Sequence, residues 1–346
     1  MTQARGRKGA KLEEVLRGYF TSLGFFAVRG VPYAYAGIEI TDVDVWVYSR
    51  PSPFLRQRMI VDAKNKASPK ALERVLWVRG LRALLGVEGC LVATTDKRAE
   101  VRGFGAQHGV SILDGTFIKK LEDLRNREPR QRISEEELLA DLGGKEANLS
   151  SASQWRTRLE ASRGRLLSDL NFDGCNAWLD DVRFWMECVF VGPHRQVALR
   201  LTYIATSYLL IGLDYAMRTL VLDDADRRRT ALEEGFRYGS QGRNGALKVI
   251  DTATTLVDTF VSQGAGVASQ IRAQLTEQLG ALPAVPLAEY FARQEVASSL
   301  FACACELDAA AYSPEALAPS QLSKGSKAAL GILLDFHGLK RRKFFD

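Results

Sequence analysis

The chain has 346 residues, 46% hydrophobic and 25% charged, which is enough for two folded domains with substantial cores. Its net charge of +6 is uneven, because residues 1–125 hold 21 Lys and Arg against 13 Asp and Glu, a balance of +8. Five cysteines without a CxxC pair and only three histidines argue against a structural zinc site, and free thiols suit a reducing cytosol. The basic first part suits a polyanionic partner, although a solvated basic surface has the same composition.

Membrane and secretion signals are not evident in the sequence. The N-terminus has no apolar stretch of the kind found in a signal peptide. The longest uncharged apolar run, residues 201–213, is too short to cross a bilayer. We therefore expect a soluble, cytoplasmic protein without a membrane partner, in which this run lies in a buried helix.

Apolar residues at helical spacing predict an amphipathic helix over residues 9–23, ended by Gly24. At about 100° per residue, Glu13 falls on the border of the apolar stripe and Glu14 nearly opposite it. We expect Glu14 to face water and Glu13 to reach the edge of the core, where a metal-binding acid would have to lie. The alternative is that both are exposed acids of the first helical turn.

Strands are predicted next. A first strand over residues 25–29 is followed by an irregular segment, residues 30–37, which is either a ligand-contacting loop or a plain connection. Residues 41–48 and 58–64 are predicted to form two strands of one hairpin. Side chains alternate between the faces of a strand, so the polar side chains of each strand share one face. These side chains are Asp42, Asp44, Asp62 and Lys64.

The rest of the first domain alternates helix and strand. We predict a helix over 69–86 with Ser68 as N-cap, a strand over 89–95, a helix over 97–108, a strand over 110–113 and a helix to about residue 125. The order α-β-β-β-α-β-α-β is typical of an α/β domain, a mixed sheet flanked by helices.

Composition turns polar after the first domain. We therefore place a linker at residues 127–153, between a first domain of residues 1–126 and a second of residues 154–346. Within the linker, Ser134 followed by three glutamates predicts a capping box and a short helix. The second domain is predicted to be all-α, with no phosphate-binding loop, HExxH or GxSxG motif. We expect it to serve in oligomerisation, sensing or partner binding.

Clustered carboxylates beside a lysine suit metal-dependent phosphodiester hydrolysis. Carboxylates hold Mg²⁺ through oxygen, the metal activates water, and a lysine contacts the scissile phosphate or orients the water. The residues that could supply this set are Glu13, Asp44, Asp62 and Lys64. The alternative is an Asp62–Lys64 salt bridge at a strand end of an ordinary α/β domain.

Glu13, Asp44 and the sequence Asp62-Ala63-Lys64, on this order of elements, resemble the PD-(D/E)xK nuclease superfamily. The opening residues 7–13, with Gly24-Phe25 and Arg29, are especially similar to archaeal Holliday-junction resolvases and Mrr-type restriction endonucleases. The resemblance covers about residues 5–115. It implies a restriction-endonuclease-like α/β domain over residues 1–126, followed by the all-α domain.

The resemblance also implies roles for single residues. Glu13 would be the helix acid, Asp44 and Asp62 the metal ligands, Lys64 the catalytic lysine, and the Ala63 backbone carbonyl a further metal ligand. The proline of the family name is absent, since Val43 precedes Asp44. Asp42 is the alternative metal ligand, because it shares a strand face with Asp44; Asp44 is favoured because it lies deeper in the apolar run.

The activity implied is that of a Mg²⁺-dependent endonuclease, with Mn²⁺ as a substitute, that hydrolyses DNA in restriction or antiviral defence. RNA stays open as a substrate. The candidate nucleic-acid contacts are Lys8, Lys11, Lys66, Lys70 and Arg74. Through the helical domain we expect a homo-oligomer or a protein partner. The alternative is a non-catalytic nuclease fold that binds nucleic acid, or a partner-dependent regulator.

Overall fold

The computed structural model of this chain describes residues 2–65, 70–125, 132–140, 149–191, 194–261 and 264–345. The chain divides into two compact units. Unit 1 comprises Met1–Ser168 and Asp308–Ala316, and unit 2 comprises Asp169–Leu307 and Leu317–Asp346. The boundary therefore falls after Ser168, later in the chain than the linker predicted at residues 127–153.

Unit 1 contains a five-stranded mixed sheet in the order β1-β2-β3-β4-β5. The strands are β1 (Phe26–Tyr35), β2 (Ile38–Ser49), β3 (Gln57–Lys64), β4 (Gly89–Thr94) and β5 (Ser111–Leu113). The first three are antiparallel neighbours, whereas β3, β4 and β5 run parallel. The predicted hairpin of β2 and β3 and the predicted mixed sheet are thus confirmed.

Helices cover this sheet. They are α1 (Thr2–Ser22), α2 (Ala71–Leu85), α3 (Ala99–Gln107), α4 (Gly115–Arg125), α5 (Glu135–Ala140) and α6 (Leu149–Ser168). Helix α1 buries Leu12 and Leu16 in a core with Val45, Val47 and Val61 from the sheet. The predicted helical start at Ser68 and Pro69 lies outside the described residues.

The segment predicted to be irregular, residues 30–37, is mostly strand, so that prediction was wrong. Strand β1 continues to Tyr35, and a turn at Ala36 and Gly37, both with positive φ, leads into β2. The glycines and the proline of this segment favour irregular structure. Strand β1 nevertheless pairs with β2 along its length, and this pairing keeps the segment extended. Pro32 is compatible with this strand because β1 is at the edge of the sheet.

A capping box opens α5, as predicted. The backbone N–H of Glu137 donates to Ser134 Oγ at 3.3 Å, and the backbone N–H of Ser134 donates to Glu137 Oε2 at 2.7 Å. The segment expected to be a linker therefore holds a helix of unit 1.

Unit 2 is helical. Its described residues form α7 (Phe172–Val191), α8 (Arg195–Ala216), α9 (Ala225–Tyr238), α10 (Gly242–Phe260), α11 (Gly264–Ala281), α12 (Ala284–Phe291), most of α13 (Gln294–Tyr312), α14 (Lys324–Phe336) and α15 (Arg341–Phe345). Helix α8 is buried from Val197 to Tyr215, which confirms the predicted buried run. With the short turn after it, α8 is long and apolar enough to cross a membrane, but 94% of its most apolar part is buried, as in the core helix of a soluble protein.

Candidate functional site

Asp44 and Asp62 lie opposite each other at one end of the β2–β3 ladder. The last paired residues at this end are Val45 and Val61, and each acid lies one position further along its strand. Opposite residues of antiparallel strands point to the same face, so the two acids share the face away from the valine core. Both are buried, with Asp44 7% and Asp62 3% exposed.

Lys64 joins the two carboxylates. Its Nζ lies 2.9 Å from Asp44 Oδ2 and 3.3 Å from Asp62 Oδ1. The contact to Asp62 follows from the sequence, because two residues of like parity on one strand point the same way. The backbone N–H of Ala63 donates a 2.6 Å hydrogen bond to the same oxygen of Asp44. The Lys64 ammonium therefore contacts both buried carboxyl groups, and the Ala63 amide contacts that of Asp44.

Burial and charge act against each other in this cluster. Burial raises the pKa of the Asp44 carboxyl, and the Lys64 charge and the Ala63 N–H only partly offset it. Burial lowers the pKa of Lys64, but the charges of Asp44 and Asp62 outweigh that effect and hold its pKa above the ordinary value. Lys64 is therefore protonated at neutral pH.

Glu13 is an acid of α1 on which the charge of Asp44 acts. It is half-buried on α1, and its pKa is raised to about 7, first by burial and next by the charge of Asp44. Asp42 raises this pKa further, while Arg29 and Lys64 lower it. In the part of the chain that the structure describes, no hydrogen bond or ion pair engages the Glu13 carboxyl. A cation placed here would lower its pKa.

Glu14 does not face water, so that prediction was wrong. The side chain is buried, and Arg17 Nε donates to it at 3.0 Å. Burial raises the pKa of Glu14, but the hydrogen bond and charge of Arg17 outweigh it and hold the pKa below the ordinary value. Other parts of unit 1 approach this side of α1, because Arg17 lies over the ring of Tyr312. Helical periodicity within α1 does not show such long-range packing.

Arg74, a predicted nucleic-acid contact, binds Asp62 in the structure, and its contact with nucleic acid stays a prediction. Its Nε donates to Asp62 Oδ2 at 2.7 Å, and its Nη2 donates to Asp62 Oδ1. The guanidinium also lies 4.1 Å from the centre of the Trp77 ring. Arg74 is thus a partner of Asp62 that was not expected from the sequence. The sequence feature that could have placed Arg74 beside Asp62 is its position in the first turn of α2, the helix that follows β3.

Three further predicted residues, Asp42, Lys11 and Lys70, have exposed side chains. Asp42 is exposed, so Asp44 is the acid that meets Lys64. Lys11 is exposed, and Lys70 is exposed and pairs with Glu73 at 3.0 Å. Lys66 and the side chain of Lys8 lie outside the described residues. The role of the Ala63 carbonyl stays a prediction.

The described side chains do not form a ready metal site. Within residues that the structure describes, no group of three or more His, Cys, Asp or Glu is placed to hold a metal ion. Both oxygens of Asp62 accept hydrogen bonds from Arg74. The Arg74 guanidinium therefore disfavours a metal ion at Asp62, because it places a positive charge against both oxygens.

Comparisons with known proteins do not assign this chain to a family. They gave no match among protein families, curated proteins or solved structures. The chemistry of this site therefore rests on its own residues and their geometry.

Proposed function

We propose that this protein is a metal-dependent nuclease that hydrolyses phosphodiester bonds of DNA. The observation that carries this proposal is the Lys64 ammonium, which contacts the buried carboxylates Asp44 and Asp62 at two adjoining strand ends. Carboxylates favour a hard cation such as Mg²⁺, with Mn²⁺ as a substitute. An ammonium beside them favours a phosphate.

The cation would be held by Glu13, Asp44 and Asp62, with the Ala63 carbonyl as a further ligand. The raised pKa of Glu13 supports a cation here, because a divalent ion would offset the repulsion between Glu13 and Asp44. When bound, Mg²⁺ supplies a water of lowered pKa and a positive charge at the phosphate.

Lys64 and Arg74 are the two cationic side chains that would act at the phosphate. Lys64 carries its proton at neutral pH and would contact the scissile phosphate or orient the attacking water. A cation that displaces Arg74 from Asp62 would leave the Arg74 guanidinium available to a phosphate oxygen.

The test is a cleavage assay on the full chain with plasmid, linear duplex, single-stranded DNA and RNA, in Mg²⁺, Mn²⁺ or chelator. We expect cation-dependent cutting of DNA, and a loss of at least about 10²-fold in Asp62→Asn and Lys64→Met. The matched control is Lys120→Met, which changes an exposed lysine on α4. Undiminished cutting by Asp62→Asn or Lys64→Met would exclude the assigned site.

A second candidate is a non-catalytic fold that binds nucleic acid or acts with a protein partner. It is favoured by the Arg74–Asp62 pair, because Arg74 and Lys64 together neutralise the buried carboxylates without a metal. Binding of DNA in Mg²⁺ and Mn²⁺ without any cleavage would support it.

We place the nuclease in restriction or antiviral defence in the cytoplasm. Cells that express the wild-type chain should then reduce phage plaque formation, and cells that express Asp62→Asn should not. Equal plaque counts on both would remove the defence role while leaving the cleavage assay to decide the chemistry.

A further inference from the structure

The positive charge of unit 2 is concentrated at the end of its sequence. Residues 317–346 hold six Lys and Arg against two Asp, a balance of +4. Residues 169–307 hold 12 Lys and Arg against 17 Asp and Glu, a balance of −5. Four of the six cations are consecutive, from Lys340 to Lys343. Solubility does not require cations to be adjacent, so a basic segment on an otherwise acidic unit indicates a local role for this charge.

The four consecutive cations are held by an anchored helix. Helix α14 is followed by Gly338, which has a φ of 67°, and the chain then turns into α15. Helix α15 packs against α7, α14 and the turn at residues 319–321. Its Phe344 is fully buried and meets the ring of Phe190 edge-on. This anchor keeps the neighbouring cations close together on the surface of unit 2.

Three of these cations, Lys340, Arg342 and Lys343, form what we call the α15 patch. All three side chains are exposed. Arg341 is not included, because its Nε donates to Asp335 Oδ1 at 2.7 Å and the pair neutralises itself. Among the described residues, no carboxylate lies within ion-pair distance of Lys340 or Lys343.

A further cation lies close to the patch. Lys327 Nζ is 3.4 Å from the backbone oxygen of Ser320, which belongs to the turn against which α15 packs. Like charges that are held together repel one another. A partner with several negative charges would remove this repulsion at all of them at once.

The surroundings of the patch favour one kind of polyanion. In residues 317–345, no large apolar side chain is exposed. A membrane-binding surface combines its cations with exposed apolar residues, and a protein interface has an apolar centre. The backbone of a nucleic acid requires only cations that neutralise successive phosphates.

We infer that the α15 patch binds the phosphate backbone of DNA. The choice of DNA rests on the proposed function, whereas the patch itself shares no residue with the site around Asp44 and Asp62. Phosphate contacts position a protein on a duplex and carry no sequence information directly. The patch would therefore add affinity for DNA of any sequence.

The first test is binding of the full chain to a DNA duplex of about 30 base pairs, in chelator and over a range of salt concentrations. The patch variant combines Lys340→Gln, Arg342→Gln and Lys343→Gln and keeps the Phe344 anchor. It should bind at least about tenfold more weakly, and its affinity should depend less steeply on salt, with a slope lower by about 2–3.

The matched control removes the same charge from exposed positions on α9 and α10 of unit 2. It combines Arg227→Gln, Arg243→Gln and Lys248→Gln, and its salt slope should change by less than about 1. Equal losses in the two variants, or no binding of DNA by the wild type, would overturn the inference. Binding through the patch by a chain that does not cut DNA would support it while removing the proposed nuclease, so the two failures are distinguishable.

The second test locates the contact in the wild-type chain by acetylation of lysine amines, read by mass spectrometry. Saturating duplex should slow acetylation of Lys340 and Lys343 at least about threefold, because the phosphates cover their amines, and should leave Lys248 unchanged. Vesicles of phosphatidylserine and phosphatidylcholine are the second arm and should protect none of the three. Protection by vesicles without protection by the duplex, or no protection by either, would overturn the assignment.

Discussion

Arg74 holds Asp62 through both carboxylate oxygens, with Nε 2.7 Å from Oδ2. A bidentate guanidinium uses one lone pair of each oxygen and places a positive charge where a cation would approach Asp62. We therefore expect Arg74 to weaken metal binding at Asp62, and this effect can be measured without any substrate.

Replacing Arg74 by Gln should change the response to metal. Without metal we expect a loss of about 1–2 kcal/mol of unfolding free energy, because buried Asp62 loses a partner while Lys64 and the partial exposure of Arg74 limit the cost. Added Mn²⁺ should stabilise Arg74→Gln more than the wild type, since the positive charge of Arg74 is gone. Urea unfolding with and without Mn²⁺ measures both effects.

The control for this experiment is Arg79→Gln. Arg79 lies exposed on the same helix and contacts His108 rather than the acids. An equal Mn²⁺ effect in Arg74→Gln, Arg79→Gln and the wild type would contradict this expectation.

Glu13 should make stability fall as pH rises. Its folded-state pKa is raised from 4.5 to about 7, so the folded chain keeps a proton that the unfolded chain has already lost in this range. The stabilisation is complete below the unfolded pKa and is lost as pH rises through the folded pKa. Between about pH 5 and about pH 8 the wild type should lose about 1–3 kcal/mol relative to Glu13→Gln, allowing for partial exposure. Identical pH profiles of the two proteins in denaturant unfolding would refute this.

Glu14 should behave in the opposite way. Its pKa is held below the ordinary value, so its stabilisation is present above the unfolded pKa and is lost as pH falls through the folded pKa. At neutral pH, Glu14→Gln should lower the unfolding free energy by about 1–3 kcal/mol, because buried Arg17 loses its charged partner. Glu13→Gln is the matched comparison, and it should not be destabilised at this pH. A loss in Glu13→Gln but none in Glu14→Gln would show that the two sides of α1 are exchanged.

Two glycines of unit 1 should respond in opposite directions to alanine. A Cβ at Gly18 on α1 meets no atom within 4 Å, so Gly18→Ala should raise stability by about 0.5–1 kcal/mol through higher helix propensity. A Cβ at Gly115 would overlap the backbone carbonyl of Thr95, so Gly115→Ala should lower stability by about 1–3 kcal/mol. Thermal unfolding of the two variants decides this, and a stabilised Gly115→Ala would show that the approach of Thr95 is not close.

Local sequence pattern determined much of the fold. The order of elements, the hairpin of β2 and β3, and the shared face of Asp62 and Lys64 follow from alternation and chain order, which act over a few residues. The preference for Asp44 over Asp42 as the buried acid also came from the sequence, because the apolar run continues past Asp44 into the core.

Tertiary structure decided what lies against these residues. The pairing of Arg74 with Asp62, the burial of Glu14 and the extension of β1 to Tyr35 all depend on groups that are distant along the chain or on pairing with another strand. Periodicity within one element shows which side chains share a side of it. It does not show what covers that side, since coverage is set by packing across the whole unit.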